Sequence, residues 1–195
     1  MSGDEPPPGK AIRAFVALPL PDELRAGVAD VVRRFKEALP DVRYVHDDSA
    51  HVTLRFLGWT SAEMLAALEG PLRAAAAQCP PGLMTVRGLG LFPERGSPRV
   101  LWMGLVLPPP VYELQRRCEQ IAVDAGLEPE PRAFHPHLTL GRWRERARRP
   151  TLPGADLGSA AVDRLILYRS DIRPSGSTYL PLAEFPLAGA AGPVR

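Results

Sequence analysis

The stretch His51-Val52-Thr53-Leu54, inside HVTLRFLG, recurs as His137-Leu138-Thr139-Leu140, inside FHPHLTLGR. Both runs are rich in apolar and β-branched residues, the composition of strands. Side chains alternate between the faces of a strand, so His51 shares a face with Thr53, and His137 with Thr139. Val52, Leu54, Leu138 and Leu140 then point the other way, into a core. Each copy offers an imidazole beside a hydroxyl. Two such pairs in one domain are the parts needed to handle a phosphate with an acid and a base.

The surroundings of the two copies follow a similar order. AIRAFVAL, residues 11–18, reads as a strand that Pro19 stops. Pro21-Asp22 then opens a helix with Leu24, Val28, Val31, Phe35 and Leu39 at helical spacing and Pro40 beyond its end. Tyr44-Val45 is a further short strand, and His46 in the polar run HDDSA reads as a loop residue. After the first copy, Thr60 with Glu63 forms a capping box for a second helix bearing Met64, Leu65, Leu68 and Leu72. Gly70-Pro71 is expected to kink or split it. LMTVRGLGLF and RVLWMGLVL are strands joined through ERGSP into a hairpin, with Trp102-Met103-Gly104 read as core strand rather than binding box. Pro110 opens a third helix, with Leu114, Cys118, Ile121 and Ala122 inward and Gly126 at its end. The second copy follows, then the arginine-rich RWRERARRP, and VDRLILYRSDIRPSGSTYLPLAEFPL reads as two strands around a Pro/Ser/Gly turn. Strand, helix and His-x-Thr strand thus appear twice. The expectation is two related lobes in one domain over residues 10–188, between a disordered segment 1–9 and a tail 189–195.

Bulk properties bound the function classes. The chain has 195 residues, 45% of them hydrophobic and 24% charged, enough to bury a core in one large domain or two small lobes. A net charge of +2 does not by itself mark a nucleic-acid binder. Lys10 and Lys36 are the only lysines, and the other basic residues are arginines, which suit bidentate contacts to phosphate. A codon bias toward arginine, alanine, glycine and proline is the simpler account of that preference. Cys79 and Cys118 lie far apart and form neither a disulfide framework nor a zinc ribbon. The polar, proline-rich start MSGDEPPPGK has no apolar core of a secretion signal, and no apolar run reaches membrane-spanning length. A cytoplasmic, membrane-free monomer is the expectation.

The chemistry follows from the paired motifs. Displacement at phosphorus favours attacking and leaving oxygens roughly in line. One histidine takes a proton from water and the other gives one to the departing oxygen, since an ordinary pKa of about 6.5 allows either form near neutrality. Thr53 and Thr139 donate to the non-bridging oxygens, where charge builds up. Arg142, five residues past His137, falls by strict alternation on the opposite face. A bulge at Gly141 would re-aim it toward the phosphate. Arg142, Arg144, Arg146, Arg148 and Arg149 either track an RNA backbone or form a solvated loop. Phe134 and Trp143 are candidates to stack on a base, or else belong to the core. His135 and His137 form a His-x-His pair that suits zinc in spacing but lacks a companion ligand cluster.

The segments RAFVALPLP, HVTLRFLG, RVLWMGL, PHLTLGR and SDIRPSGSTYLPLAEFPL resemble the two-histidine (2H) phosphoesterases. The nearest branch is the bacterial and archaeal RNA 2′,3′-cyclic phosphodiesterases, historically called 2′-5′ RNA ligases. The match runs from Ile12 to Leu187, with its segments in the family's order. The resemblance implies an α+β, bilobal, pseudo-twofold duplicated fold, with two antiparallel sheets flanking a central cleft and helices outside. It implies hydrolysis of RNA 2′,3′-cyclic phosphate ends to 2′-phosphates without metal or other cofactor, with small nucleotides as further ligands. It gives His51 as proton donor and His137 as proton acceptor, with Thr53 and Thr139 beside them. Arg142 matches a basic position that follows the family's second motif. Two alternatives stay open: a nucleotide-binding module of the same fold, and reversible 2′-5′ ligation.

Overall fold

The computed structural model describes residues 11–45, 50–173 and 176–188. The expected segments 1–9 and 189–195, His46, and the turn at Pro174-Ser175 lie outside the described residues. In chain order the elements are β1 (Ile12–Pro19), α1 (Asp22–Ala38), β2 (Val42–Tyr44), β3 (His51–Thr60), α2 (Ala62–Ala77), β4 (Gly82–Phe92), β5 (Val100–Val106), α3 (Pro109–Asp124), β6 (His137–Trp143), β7 (Asp156–Val162), β8 (Arg164–Arg173) and β9 (Gly176–Pro186). They form two antiparallel sheets, ordered β3-β1-β8-β9 and β2-β6-β5-β4-β7. Among the described residues no helix is long and apolar enough to cross a membrane.

The expected duplication is visible in the pairing. β1, α1 and β3 correspond to β5, α3 and β6: each His-x-Thr strand lies beside the strand that precedes its helix. The two halves are laced together by their helices. α3 packs against β3 of the first sheet, and α1 against β7 of the second, close enough that a Cβ on Gly27 would stand 3.1 Å from Leu157 Cδ2. One hydrophobic cluster accordingly collects Val16, Leu18, Val52 and Leu54 from the first sheet with Met103, Leu138 and Leu140 from the second. Burial on this scale is the main stabilising contribution to such a fold.

The helices form for local reasons that the sequence displays. In α1, Leu24, Val28, Val31, Val32 and Phe35 are buried, Asp22 and Glu23 stand in the first turn and Lys36 in the last, as the helix dipole favours. α3 ends in a Schellman motif: Gly126, at φ +91°, donates to the Val123 carbonyl and Leu127 to that of Ala122. Two expectations for α2 need correction. Its N-cap is Ser61, whose hydroxyl accepts from the Met64 amide, while Thr60 is buried in β3 and donates to the Leu57 carbonyl. Gly70-Pro71 does not split the helix, which runs unbroken through Pro71 with Leu65, Leu68 and Leu72 buried. Strand β7 is an addition to the elements expected from sequence. Its run DLGSAAV has few of the β-branched residues that announce a strand, and pairing with β4 supplies what propensity lacks.

Candidate active site

Alternation places the motif side chains as expected. Val52, Leu138 and Leu140 are fully buried and Leu54 nearly so, whereas His51, Thr53, His137 and Thr139 are half-buried on the faces turned away from the common core. β3 and β6 are in contact, which brings the two His/Thr pairs to the seam between the sheets.

Both motifs break register at the same residue. Against β1, Thr53 pairs with Ala17 and Arg55 with Val16, leaving Leu54 over. Against β5, Thr139 pairs with Trp102 and Gly141 with Leu101, leaving Leu140 over. A bulge reverses the alternation beyond it. Arg55 and Gly141 therefore turn inward, and Phe56 and Arg142 come onto the faces that carry the histidines. The extra residue in β6 is Leu140 rather than Gly141. Gly141 answers a need for space: a Cβ there would stand 2.4 Å from Val42 Cγ1 and 3.0 Å from the Arg43 carbonyl oxygen of β2.

Each bulge is held from outside its own strand pair. The Leu54 carbonyl accepts from Gln115 Nε2 of α3 at 3.5 Å, and Arg55 forms an ion pair with Glu119 of the same helix at 2.7 Å. Arg55 also donates to the carbonyls of Phe56 and Glu128. The Leu140 carbonyl accepts from the Val45 amide at 2.9 Å, continuing the β2 pairing.

The two imidazoles sit among different neighbours. The His51 ring lies 4.7 Å from Phe15, 4.8 Å from the edge-on Tyr179 and 6.0 Å from Tyr168, centroid to centroid. The His137 ring lies 5.1 Å from the edge-on Phe92 and 6.3 Å from Trp102. Nδ1 of His137 is 2.7 Å from the carbonyl oxygen of His135. That contact makes Nδ1–H the donor and leaves the Nε2 lone pair of the neutral ring for chemistry. Burial pushes the His137 pKa below its ordinary value; the bond to His135 opposes this, and the positive charge of Arg142 adds to it. Burial likewise raises the Tyr168 phenol, helped by the nearby Glu184 carboxylate.

The aromatic residues of the site are not evident from the sequence. Phe15, Tyr168 and Tyr179 reach His51 from β1, β8 and β9, and only the strand order shows that those strands share a sheet with β3. Trp102 corrects the view of Trp102-Met103-Gly104 as core alone. Met103 is in the core, but Trp102 lies on the site face opposite Thr139, its indole over Gly90, where a Cβ would be 2.1 Å from the ring. Phe134 packs instead against the core, edge-on to Tyr112 at 6.0 Å. Trp143 is buried on the core side of β6. In the arginine run, Arg149 is exposed but committed to the protein itself. It donates to the carbonyls of Pro93, Glu94 and Gly96 and ties its loop to the β4–β5 connection. No group of three His, Cys, Asp or Glu residues suited to a metal occurs among the described residues, and His135 is exposed.

The chain is similar in sequence and fold to known proteins. The family described as "LigT like Phosphoesterase" matches residues 18–102 and 106–174. A protein of Methanothermobacter thermautotrophicus named RNA 2′,3′-cyclic phosphodiesterase is 32% identical over 183 residues, covering 90% of this chain and 99% of its own. The crystal structure of Escherichia coli LigT complexed with 3′-AMP superposes with a TM-score of 0.78 at 32% identity, over 91% of this chain and 99% of that one. TT0787 of Thermus thermophilus superposes with a TM-score of 0.79 at 28% identity, over 91% and 99%. The chain belongs to the LigT-like phosphoesterase family of the 2H superfamily.

Proposed function

We propose that the chain hydrolyses a 2′,3′-cyclic phosphate at an RNA end to a 2′-phosphate, with His137 as base and His51 as acid. The observation that carries this reading is the pair of His/Thr faces on two contacting strands, each backed by a bulge at the same position. His137 Nε2 takes a proton from water, and the water oxygen attacks phosphorus. The bond from phosphorus to O3′ breaks on the far side, and His51 gives its proton to O3′. The products are a 2′-phosphate and a free 3′-hydroxyl, with one proton gained by His137 and one lost by His51. Thr53 and Thr139 donate to the non-bridging oxygens, and Arg142 offsets their charge.

The division of labour has support in the neighbours of His137. Burial and the Arg142 charge favour the neutral imidazole, the form a base requires. Relatives named RNA 2′,3′-cyclic phosphodiesterase support the substrate class. E. coli LigT complexed with 3′-AMP and with ATP supports small nucleotides as further ligands. No step calls on a metal. The test is product analysis on an oligonucleotide ending in a 2′,3′-cyclic phosphate, with and without excess chelator. A 2′-phosphate formed at equal rates is expected. A 3′-phosphate would contradict the assignment of the leaving oxygen, and a rate abolished by chelator would contradict the metal-free route.

A further inference from the structure

β2 is the edge strand of the second sheet, and among the described residues no further strand of that sheet lies beyond it. Arg43 pairs with Arg142 across the β2–β6 ladder. Directly opposed residues of an antiparallel pair project to the same face, so Arg43 shares the face of Arg142, Thr139 and His137. Neighbouring strands lie only about 4.8 Å apart, so an anion lying across both guanidinium groups can make a charge-assisted contact to each. Arg43 stands one strand farther from His137 than Arg142 does, at the open edge of the sheet. The close approach of β2 to β6 holds Arg43 in place: a Cβ at Gly141 would press on Val42 Cγ1 and the Arg43 carbonyl.

We propose that Arg43 and Arg142 form a subsite for the internucleotide phosphate that precedes the cyclic end, so that the enzyme favours an RNA end over a free mononucleoside cyclic phosphate. This rests on the proposed hydrolysis and adds a specificity residue to it. Arg142 is the inner partner, shared with the scissile phosphate, and Arg43 the outer one.

The test is a cycle in which protein and substrate are changed separately and together. Rates are compared for a dinucleotide ending in a 2′,3′-cyclic phosphate, for the same dinucleotide with a neutral methylphosphonate linkage, and for the mononucleoside cyclic phosphate. Each is measured with the unaltered chain and with Arg43→Gln. The ratio of kcat/KM for dinucleotide over mononucleotide should fall about tenfold in Arg43→Gln, in line with one charged hydrogen bond. The methylphosphonate should lower it by a similar factor, and the two changes together should cost little more than either alone. The salt dependence of dinucleotide binding should also become shallower in the variant, by about 0.7 in its logarithmic slope. Independent, multiplying effects, or no change in the ratio, overturn the subsite while leaving the hydrolysis standing. Failure of the unaltered chain to turn over any of the three substrates overturns the proposed function itself, and the subsite with it.

Discussion

The two His-x-Thr strands are the same device up to the leucine and different machines after it. In both, a bulge at Leu54 or Leu140 turns the next residue inward and the one after it onto the site face. In β3 those residues are Arg55, anchored to α3 through Glu119, and Phe56, which is 43% exposed. In β6 they are Gly141, covered by β2, and Arg142. A duplicated backbone thus holds both histidines beside aromatic rings, and the second feels the charge of Arg142 as well. The backbone supplies two equivalent positions for proton transfer, and the side chains beyond the bulge make them inequivalent.

The largest expected effect breaks both halves alike. Replacing His51 or His137 by alanine should lower kcat by roughly 10²- to 10⁴-fold each, the usual contribution of a positioned acid or base. Thermal unfolding should change little, because both rings are half-buried and outside the core cluster. A His137→Ala protein with near-normal turnover would sink the proposed mechanism. If one variant retains far more activity than the other, the survivor marks the proton that matters less to the rate.

The bulges can be broken one at a time, through different neighbours. Arg55→Ala leaves Glu119 without its ion-pair partner and strips the carbonyls of Phe56 and Glu128 of a donor. A cost of about 3 kcal/mol is expected from breaking a buried pair, measured by denaturant unfolding. Gly141→Ala drives a methyl group into Val42 and the Arg43 carbonyl, a smaller overpacking cost of about 1–3 kcal/mol. The two should also differ in kinetics at temperatures where both remain folded. The first disturbs the strand of His51, and the second the strand of His137 and Arg142 together with Arg43 of the adjoining β2. Equal losses of substrate binding in the two variants would deny that the second half holds the charged part of the substrate.

Much of this plan is legible in the sequence because it rests on short-range periodicity. The period of two in HVTL and HLTL puts the histidines and threonines on one face without any tertiary information. A bulge expected at Gly141 falls within one residue of the observed register break. What stays hidden depends on which strands become neighbours. Phe15, Tyr168 and Tyr179 are far apart in sequence, and nothing local says that all three rings converge on His51. Trp102 reads wrongly as core because a tryptophan in an apolar strand has two faces to choose from, and the choice is fixed by its pairing with Thr139. β7 escapes notice because small residues make a strand there only with β4 to pair against. The arginine run looks like a nucleic-acid track, yet Arg149 spends its donors on loop carbonyls, a use that no charge pattern reveals.

The smallest expected effect lies in the pH profile, and it separates the two histidines by role. Burial comes first among the causes that lower the His137 pKa, and the Arg142 charge adds to it against the opposing bond to His135. A base acts deprotonated, so kcat/KM should rise with pH through the His137 pKa, and the acidic limb should lie below the ordinary histidine value of about 6.5. Arg142→Gln removes the positive charge and makes protonation of His137 easier. The acidic limb should then move upward, but stay below the ordinary value because burial is unchanged. Were His137 the acid instead, its protonated form would be the active one, and the same substitution would shift the alkaline limb upward and leave the acidic limb in place. The direction is the same in both cases, so the limb that moves, rather than the sign of the shift, assigns the base.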